Sequence, residues 1–301
     1  MFSHFLQSIL RRLRSSSWVR HLQRKYGANF DLFLRTVVLE RGRGDYPEFE
    51  HACLYAYRYM GMHREALAEV LRTRSKEIEP PGDHDVVLDF GCGPATSLFA
   101  FEEVTDGFLP VAAYVGIEQS SSMRELAGVA LRALGQRRST IEESAEQAAM
   151  VCSKLVRETP ERLVLVFSYF FGQELDEENV SRVVRATKAI IRGLRPRNVV
   201  TIYANIDIES ANWMPEGDIH HWYRLFMKEM GWKTRIQTAS YTYPVSGDLK
   251  VDPENRTSGS LTFDIQAHEF AAHERARFCL ERNSQFDAPA RCGVASGLRL
   301  S

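Results

Sequence analysis

The sequence is short of cysteine, of long apolar runs and, over its first thirty residues, of acid. Only five cysteines occur in 301 residues, and Cys53, Cys92, Cys152, Cys279 and Cys292 never form a CxxC pair. That number and scatter argue against a disulfide framework and a thiolate zinc site, and they suit a reducing compartment. No apolar stretch approaches the roughly 20 residues that span a bilayer, so a soluble chain without a membrane span is expected. Nor is there a surplus of either charge: 38 Lys and Arg face 39 Asp and Glu, for a net charge of −1. A globally basic nucleic-acid binder is disfavoured, whereas a local basic patch is not, because net charge says nothing about distribution. What is present, 44% hydrophobic and 26% charged residues, is an ordinary globular balance. The length suits one large domain, or a core with a smaller appendage.

The acid-free stretch runs from Met1 to Phe30 and contains Arg11, Arg12, Arg14, Arg20, Arg24 and Lys25. Phe2, Leu6, Ile9 and Leu13 recur there at the spacing of one helical face, and Ser15-Ser16-Ser17 follows. Three readings stay open: a helix packed on the body with its basic side in water, an organelle targeting segment, or a basic arm for an anionic partner. A cytoplasmic location is therefore expected, with the mitochondrion as the alternative.

Residues 30–78 read as helices. Leu32, Phe33, Val37 and Val38 make an apolar stripe that Arg41-Gly42-Arg43-Gly44 breaks. A second helix starts near Pro47, with Phe49, Cys53, Tyr57 and Met60 three to four residues apart, and Gly61 is expected to interrupt it before Glu65–Arg72. Pro80-Pro81-Gly82 ends the region sharply. From there strands alternate with helices. Val86–Phe90, Val111–Ile117, Leu163–Phe167 and Val199–Ala204 read as strands, and Thr96–Val104, Ser121–Leu134, Glu178–Leu194 and Ile219–Met230 as helices. The rhythm then breaks: Arg235–Tyr243 and Leu261–Ala267 are strands with only a polar loop, Ser246–Ser260, between them, so they must pair antiparallel. The expected fold class is α/β, a Rossmann-like doubly wound sheet ending in an antiparallel hairpin, with an N-terminal helical cap. The expected divisions are 1–79 for the cap with its basic segment, 80–270 for the core, and 271–301 for a C-terminal helix and tail.

The informative stretch is Asp89-Phe90-Gly91-Cys92-Gly93-Pro94-Ala95-Thr96, at the carboxyl end of the first strand, where ligands bind in doubly wound folds. Gly91 and Gly93 permit a tight turn and close backbone approach. The dinucleotide fingerprint needs a small residue where Thr96 stands, and the P-loop is missing, so pyrophosphate cofactors are disfavoured. Glu118 closes the next strand, where a carboxylate accepts from both hydroxyls of a ribose.

On these residues the chain resembles the class I S-adenosylmethionine-dependent methyltransferases over roughly residues 80–270, with Ala95 where the third glycine usually stands. The resemblance implies S-adenosyl-L-methionine as cofactor. Gly91, Cys92 and Gly93 would pass beneath its methionine part, within a cofactor-binding turn that runs from Asp89 to Ala95. Glu118 would hold the ribose, and Gln119 or Met123 would flank the adenine. Ser168, counted with the cofactor site, and Tyr169, lining the acceptor site, lie in the stretch after the fourth strand that would face the transferred methyl group. The acid near the end of a third strand would be Glu142 or Glu143, within Ser139–Ser144. Asn-Pro-Pro-Tyr, the signature of amino-group methylation, is not there. The spacing from Leu88 to Met123 is also similar to the methyltransferase-like proteins of mitochondrial small-ribosomal-subunit assembly, although the cysteine cluster usual after their core is missing.

The expected activity is methyl transfer by in-line displacement to a small-molecule or RNA acceptor, with no catalytic residue assigned. The competing reading is a non-catalytic binding or assembly protein of the same fold, ribosome-associated in one version. The cap would close over the donor pocket, and Tyr46, Tyr55, Tyr57 and Tyr59 would suit a planar or apolar acceptor, or simply pack the cap. No metal is expected. His220-His221 beside Asp218 point apart on a helix, and His268-Glu269 with His273 is one residue too long for HExxH. Glu174, Asp176, Glu177 and Glu178 read as a helix start, where carboxylates suit the positive end of the dipole. Cys92 reads as a packing residue rather than a nucleophile.

Overall fold

Strands that are apolar on both faces need cover on both sides, and the chain supplies it with helices between them. The computed structural model describes residues 1–34, 38, 48–74, 79–105, 111–136, 138–156, 158–172, 175–206, 220–247 and 249–269. The helix and tail expected over 271–301, with Cys279, Cys292 and His273, lie outside the described residues, as do Tyr46, Glu174, Asp218, Val37 and the break at 41–44.

Seven strands form one sheet: β1 (Asp85–Phe90), β2 (Ala113–Ile117), β3 (Ser139–Glu142), β4 (Arg162–Ser168), β5 (Asn198–Ile206), β6 (Gln237–Gly247) and β7 (Lys250–Glu269). Their order is β3-β2-β1-β4-β5-β7-β6. The first five run parallel, and β7 then pairs antiparallel with both β5 and β6. This is the Rossmann-like doubly wound sheet ending in an antiparallel hairpin. The order reverses direction between β1 and β4, so the crevice that such folds use for ligands opens at the carboxyl ends of those two strands.

Ten helices are assigned among the described residues: α1 (Phe2–Ser15), α2 (Ser17–Tyr26), α3 (Phe30–Phe33), α4 (Phe49–Tyr55), α5 (Gly61–Arg74), α6 (Thr96–Val104), α7 (Ser121–Ala133), α8 (Ala145–Leu155), α9 (Glu177–Leu194) and α10 (His221–Met230). Their starts follow local chemistry. The Ser120, Ser144 and Asp176 side chains accept from the backbone N–H groups of Met123, Gln147 and Asn179 and cap α7, α8 and α9. At its far end α10 stops on Gly231, at φ +77°. No helix among the described residues is long and apolar enough to cross a membrane.

The link into β1 is pinned by one ion pair. Arg162 at the start of β4 grips the buried Asp85 with both arms, Nε to Oδ1 at 3.0 Å and Nη2 to Oδ2 at 2.6 Å. The same guanidinium donates to the carbonyls of Glu79 and Pro80, and Asp85 also accepts from the Gly82 N–H. The Pro80-Pro81-Gly82 segment is thereby tied to the base of the sheet.

Met1–Glu269 packs as one unit. The apolar face of α1 is spent inside it: Phe2, Phe5, Leu6, Ile9, Leu10 and Leu13 are all buried. Phe2 meets Phe99 of α6 edge-on and Phe5 lies tilted against it, with centroids 5.4 and 5.1 Å away.

Two expectations are corrected. Gly61 does not interrupt the cap helix: α4 runs through a π-helical turn, Ala56–Met60, directly into α5, and Gly61 itself is right-handed at φ −61°. The wide turn absorbs the irregularity that the glycine suggested. The expected loop Ser246–Ser260 is mostly strand, because β6 and β7 pair from Gly247↔Lys250 onward, with a register shift at Pro244/Val245. Polar residues suit this ribbon, since the ladder satisfies their backbone and Arg256 donates to Thr242 Oγ1 and to its carbonyl.

Candidate active site

The turn after β1 is left-handed three times over: Gly91 has φ +63°, Gly93 +51° and Ala95 +59°. Glycine adopts this region freely, whereas at Ala95 it costs about 1 kcal/mol. A Cβ built on Gly91 would touch the Phe170 ring at 3.0 Å, so the turn and the segment after β4 abut across the crevice. A Cβ on Gly93 would meet no atom within 4 Å, which leaves open space over that part of the turn.

Glu118, leaving β2, reaches back to this turn. Its Oε2 accepts from the Gly93 N–H at 3.0 Å and its Oε1 from the Ser120 N–H at 2.9 Å. Burial raises its pKa against those bonds and the nearby Arg124 charge, while the side chain stays partly accessible and keeps lone pairs to spare. Glu118 N donates to the Glu142 carbonyl, which places the end of β3 alongside. Glu143, one residue on, is exposed and lies 3.7 Å from Arg124. Gln119 is exposed, with its carbonyl accepting from Arg124, while Met123 is buried in the core beside α7's other apolar residues.

Asp89 lies beneath the turn, not at its surface. Its Oδ2 accepts from Ser97 Oγ and, at 2.8 Å, from Tyr114 Oη, and burial pushes its pKa up to about 7. Asp89 therefore ties β1, β2 and α6 together under the loop. Cys92 is buried too, and burial raises its thiol well above the usual range, consistent with a packing residue. Gly116 of β2 makes room for it: a Cβ there would lie 2.6 Å from Cys92 Sγ and from Ile141 Cδ1.

On the β4 side, Ser168 is the half-buried last residue of the strand, and Tyr169 follows in the left-handed region at φ +61°. Its N–H donates to the Ala204 carbonyl at 2.8 Å, which holds a non-glycine residue in a strained conformation at the crevice edge. Its hydroxyl hydrogen-bonds Tyr241, and its ring stacks on His63 at 3.9 Å. His63 belongs to α5, and its Nδ1 lies 3.4 Å from the Tyr55 hydroxyl. Tyr59 stacks on His63, while Tyr55 meets His63 edge-on and lies tilted against Tyr59. Burial lowers the His63 pKa to about 3 and raises the Tyr55 phenol, with the Glu118 charge adding to the latter. Cap, turn and β4 thus converge.

The cap tyrosines divide. Tyr55 and Tyr59 face this cluster, whereas Tyr57 is buried on another side and donates to the Lys250 carbonyl. His63 escaped the sequence reading, although Tyr55, Tyr59 and His63 follow at four-residue steps on one helical face. Ser97 and Tyr114 carried no motif, and nothing in the sequence marked them as partners of Asp89. The histidines considered as ligands have other roles: His220 Nδ1 lies 2.9 Å from the Tyr203 hydroxyl, and His268 stacks on Trp232 at 4.1 Å.

No family model and no curated protein matches the chain. Solved structures of similar fold include a precorrin-6y C5,15-methyltransferase from Geobacter metallireducens, at 13% identity and TM-score 0.39, over 67% of this chain and 87% of that one. A SAM-dependent methyltransferase from Aquifex aeolicus is similar at 13% identity and TM-score 0.40, over 69% and 93%. Aeropyrum pernix fibrillarin with natively bound S-adenosyl-L-methionine is similar at 13% and 0.39, over 68% and 76%. The likeness is one of fold alone.

Proposed function

We propose that the chain is an S-adenosyl-L-methionine-dependent methyltransferase. The observation that carries this reading is the Glu118 carboxylate bonded to the Gly93 N–H, beside open space over a left-handed glycine turn at the switch point of the sheet. These residues fit the cofactor. Gly91, Cys92, Gly93 and Ala95 bring bare backbone to its methionine part, Asp89 braces that backbone from below, and Glu118 accepts from the ribose hydroxyls. Gln119 or Met123 flanks the adenine, and Ser168 completes the site toward β4.

Held by these residues, the cofactor would supply a sulfonium methyl group, a carbon open to in-line displacement by the acceptor's nucleophile with a neutral thioether as leaving group. The chain's own work is orientation and exclusion of water. Tyr169 is held at the crevice edge by its strained backbone and by stacking on His63, so it lines the acceptor side. Tyr55, Tyr59 and His63 form a largely neutral aromatic wall that shields a planar or apolar acceptor. Protons released by the acceptor have few takers there, because His63 is neutral and only weakly basic.

The test is calorimetric titration of the full chain with S-adenosyl-L-methionine, beside Glu118→Ala. Micromolar binding that Glu118→Ala weakens tenfold or more supports the site. No binding by a folded wild type would sink it and leave a scaffold of this fold.

A further inference from the structure

The chain's near-neutral total conceals a segregation. All six cations of the first thirty residues lie on α1 and α2 with no acid among them, so the remainder of the chain carries a net negative charge. All six are exposed. Among the described residues, Arg12 alone of the six pairs with a carboxylate, Glu50 at 3.8 Å, while it also lies over the Phe49 ring. Arg14 has one arm on the Leu249 carbonyl. Arg20 donates to the carbonyls of Ser15 and Ser16, Arg24 to that of Arg20, and Lys25 lies over the Tyr26 ring at 5.2 Å. Two half-buried aromatic rings, Trp18 and Tyr26, bracket these cations on α2.

We infer that the outer face of α1 and α2 is a docking surface for a nucleic-acid phosphate backbone. Unpaired guanidinium groups meet phosphate oxygens two at a time, and this surface is mostly arginine. The two rings beside the cations are already engaged, Trp18 against His51 and Tyr26 stacked on Phe33, so the phosphate charges rather than stacked bases carry the contact. A lipid surface fits poorly. An interfacial helix needs a free apolar face, and the apolar face of α1 is buried against α6 and the core. The surface also connects to the crevice: Arg12 lies over α4, the helix that runs through the π turn to Tyr59 and His63. Docking here does not depend on methyl transfer.

The test is fluorescence anisotropy of the full chain with a labelled 20-nucleotide single-stranded RNA, the same sequence as DNA, and anionic phosphatidylserine vesicles. Two variants are compared with wild type, Arg20→Ala/Arg24→Ala and Arg11→Ala/Lys25→Ala, both leaving Arg14 and the buried face intact. Wild type is expected to bind nucleic acid with a dissociation constant below about 10 µM at 50 mM salt. Each variant is expected to bind at least fivefold more weakly, with a salt slope lower by about 0.7 for each phosphate no longer neutralised. Binding of RNA alone, or of RNA and DNA alike, identifies the source of the phosphates, and either supports the surface. No nucleic-acid binding by wild type, equal affinity in the variants, or binding to vesicles only would overturn it. Titration of the same variants with S-adenosyl-L-methionine reads the cofactor site separately, so the two proposals fail independently.

Discussion

An alanine methyl placed at Gly93 and one placed at Gly116 meet different surroundings. At Gly93 the backbone is left-handed but the space above is open, so Gly93→Ala is expected to cost about 1 kcal/mol of stability. The same methyl would occupy the room proposed for the cofactor, so S-adenosyl-L-methionine affinity should fall tenfold or more. Gly116→Ala drives a methyl into Cys92 and Ile141 inside the sheet and should cost about 1–3 kcal/mol. Chemical denaturation beside calorimetry separates the two. Asp89 adds a pH signature. Burial holds its folded pKa near 7, above that of the unfolded chain. Its neutral form is thus the one the fold prefers, and that contribution, complete in acid, is lost as pH rises from about 4 to 7. Asp89→Asn should remove this fall in stability, which urea titrations across that range would reveal.

Among the elements, α1 carries the clearest test. Leu13 is fully buried, so Leu13→Ala should destabilise by about 2–5 kcal/mol, as a core truncation does. A loss under about 0.5 kcal/mol, the size of an ordinary surface substitution, would mean that α1 is not part of the cooperative unit. The alternation of strands and helices was readable before the structure because it rests on local apolar runs, and β1, β4 and β5 lie close to the expected places. So was the turn at Gly91–Ala95, since Gly91 and Gly93 adopt its left-handed backbone without strain. The hairpin's length was hidden: Ser, Thr and Arg in β7 look like loop, and only a partner strand makes them a ladder. The π turn was likewise invisible, because Gly61 suggested a break and the sequence holds no sign of a widened turn. His63 needed tertiary context as well, since its partner Tyr169 lies far along the chain, just after β4.

For the whole molecule, cofactor binding must raise thermal stability if it occurs at the folded crevice alone. Saturation at about a hundred times the dissociation constant adds about 2.7 kcal/mol, which a melting curve with and without S-adenosyl-L-methionine would resolve. Glu118→Ala should abolish that shift. The sheet's two borders have a separate bearing on how the protein behaves in concentrated solution. On one border, β3 is four residues long and ends on a charged glutamate; on the other, β6 carries a proline at its register shift. A short charged border and one interrupted by a residue without an N–H offer poor templates for an incoming strand. These two borders thereby guard this chain against stacking edge to edge into fibrils, even though its inner strands are among the most β-prone segments of the sequence.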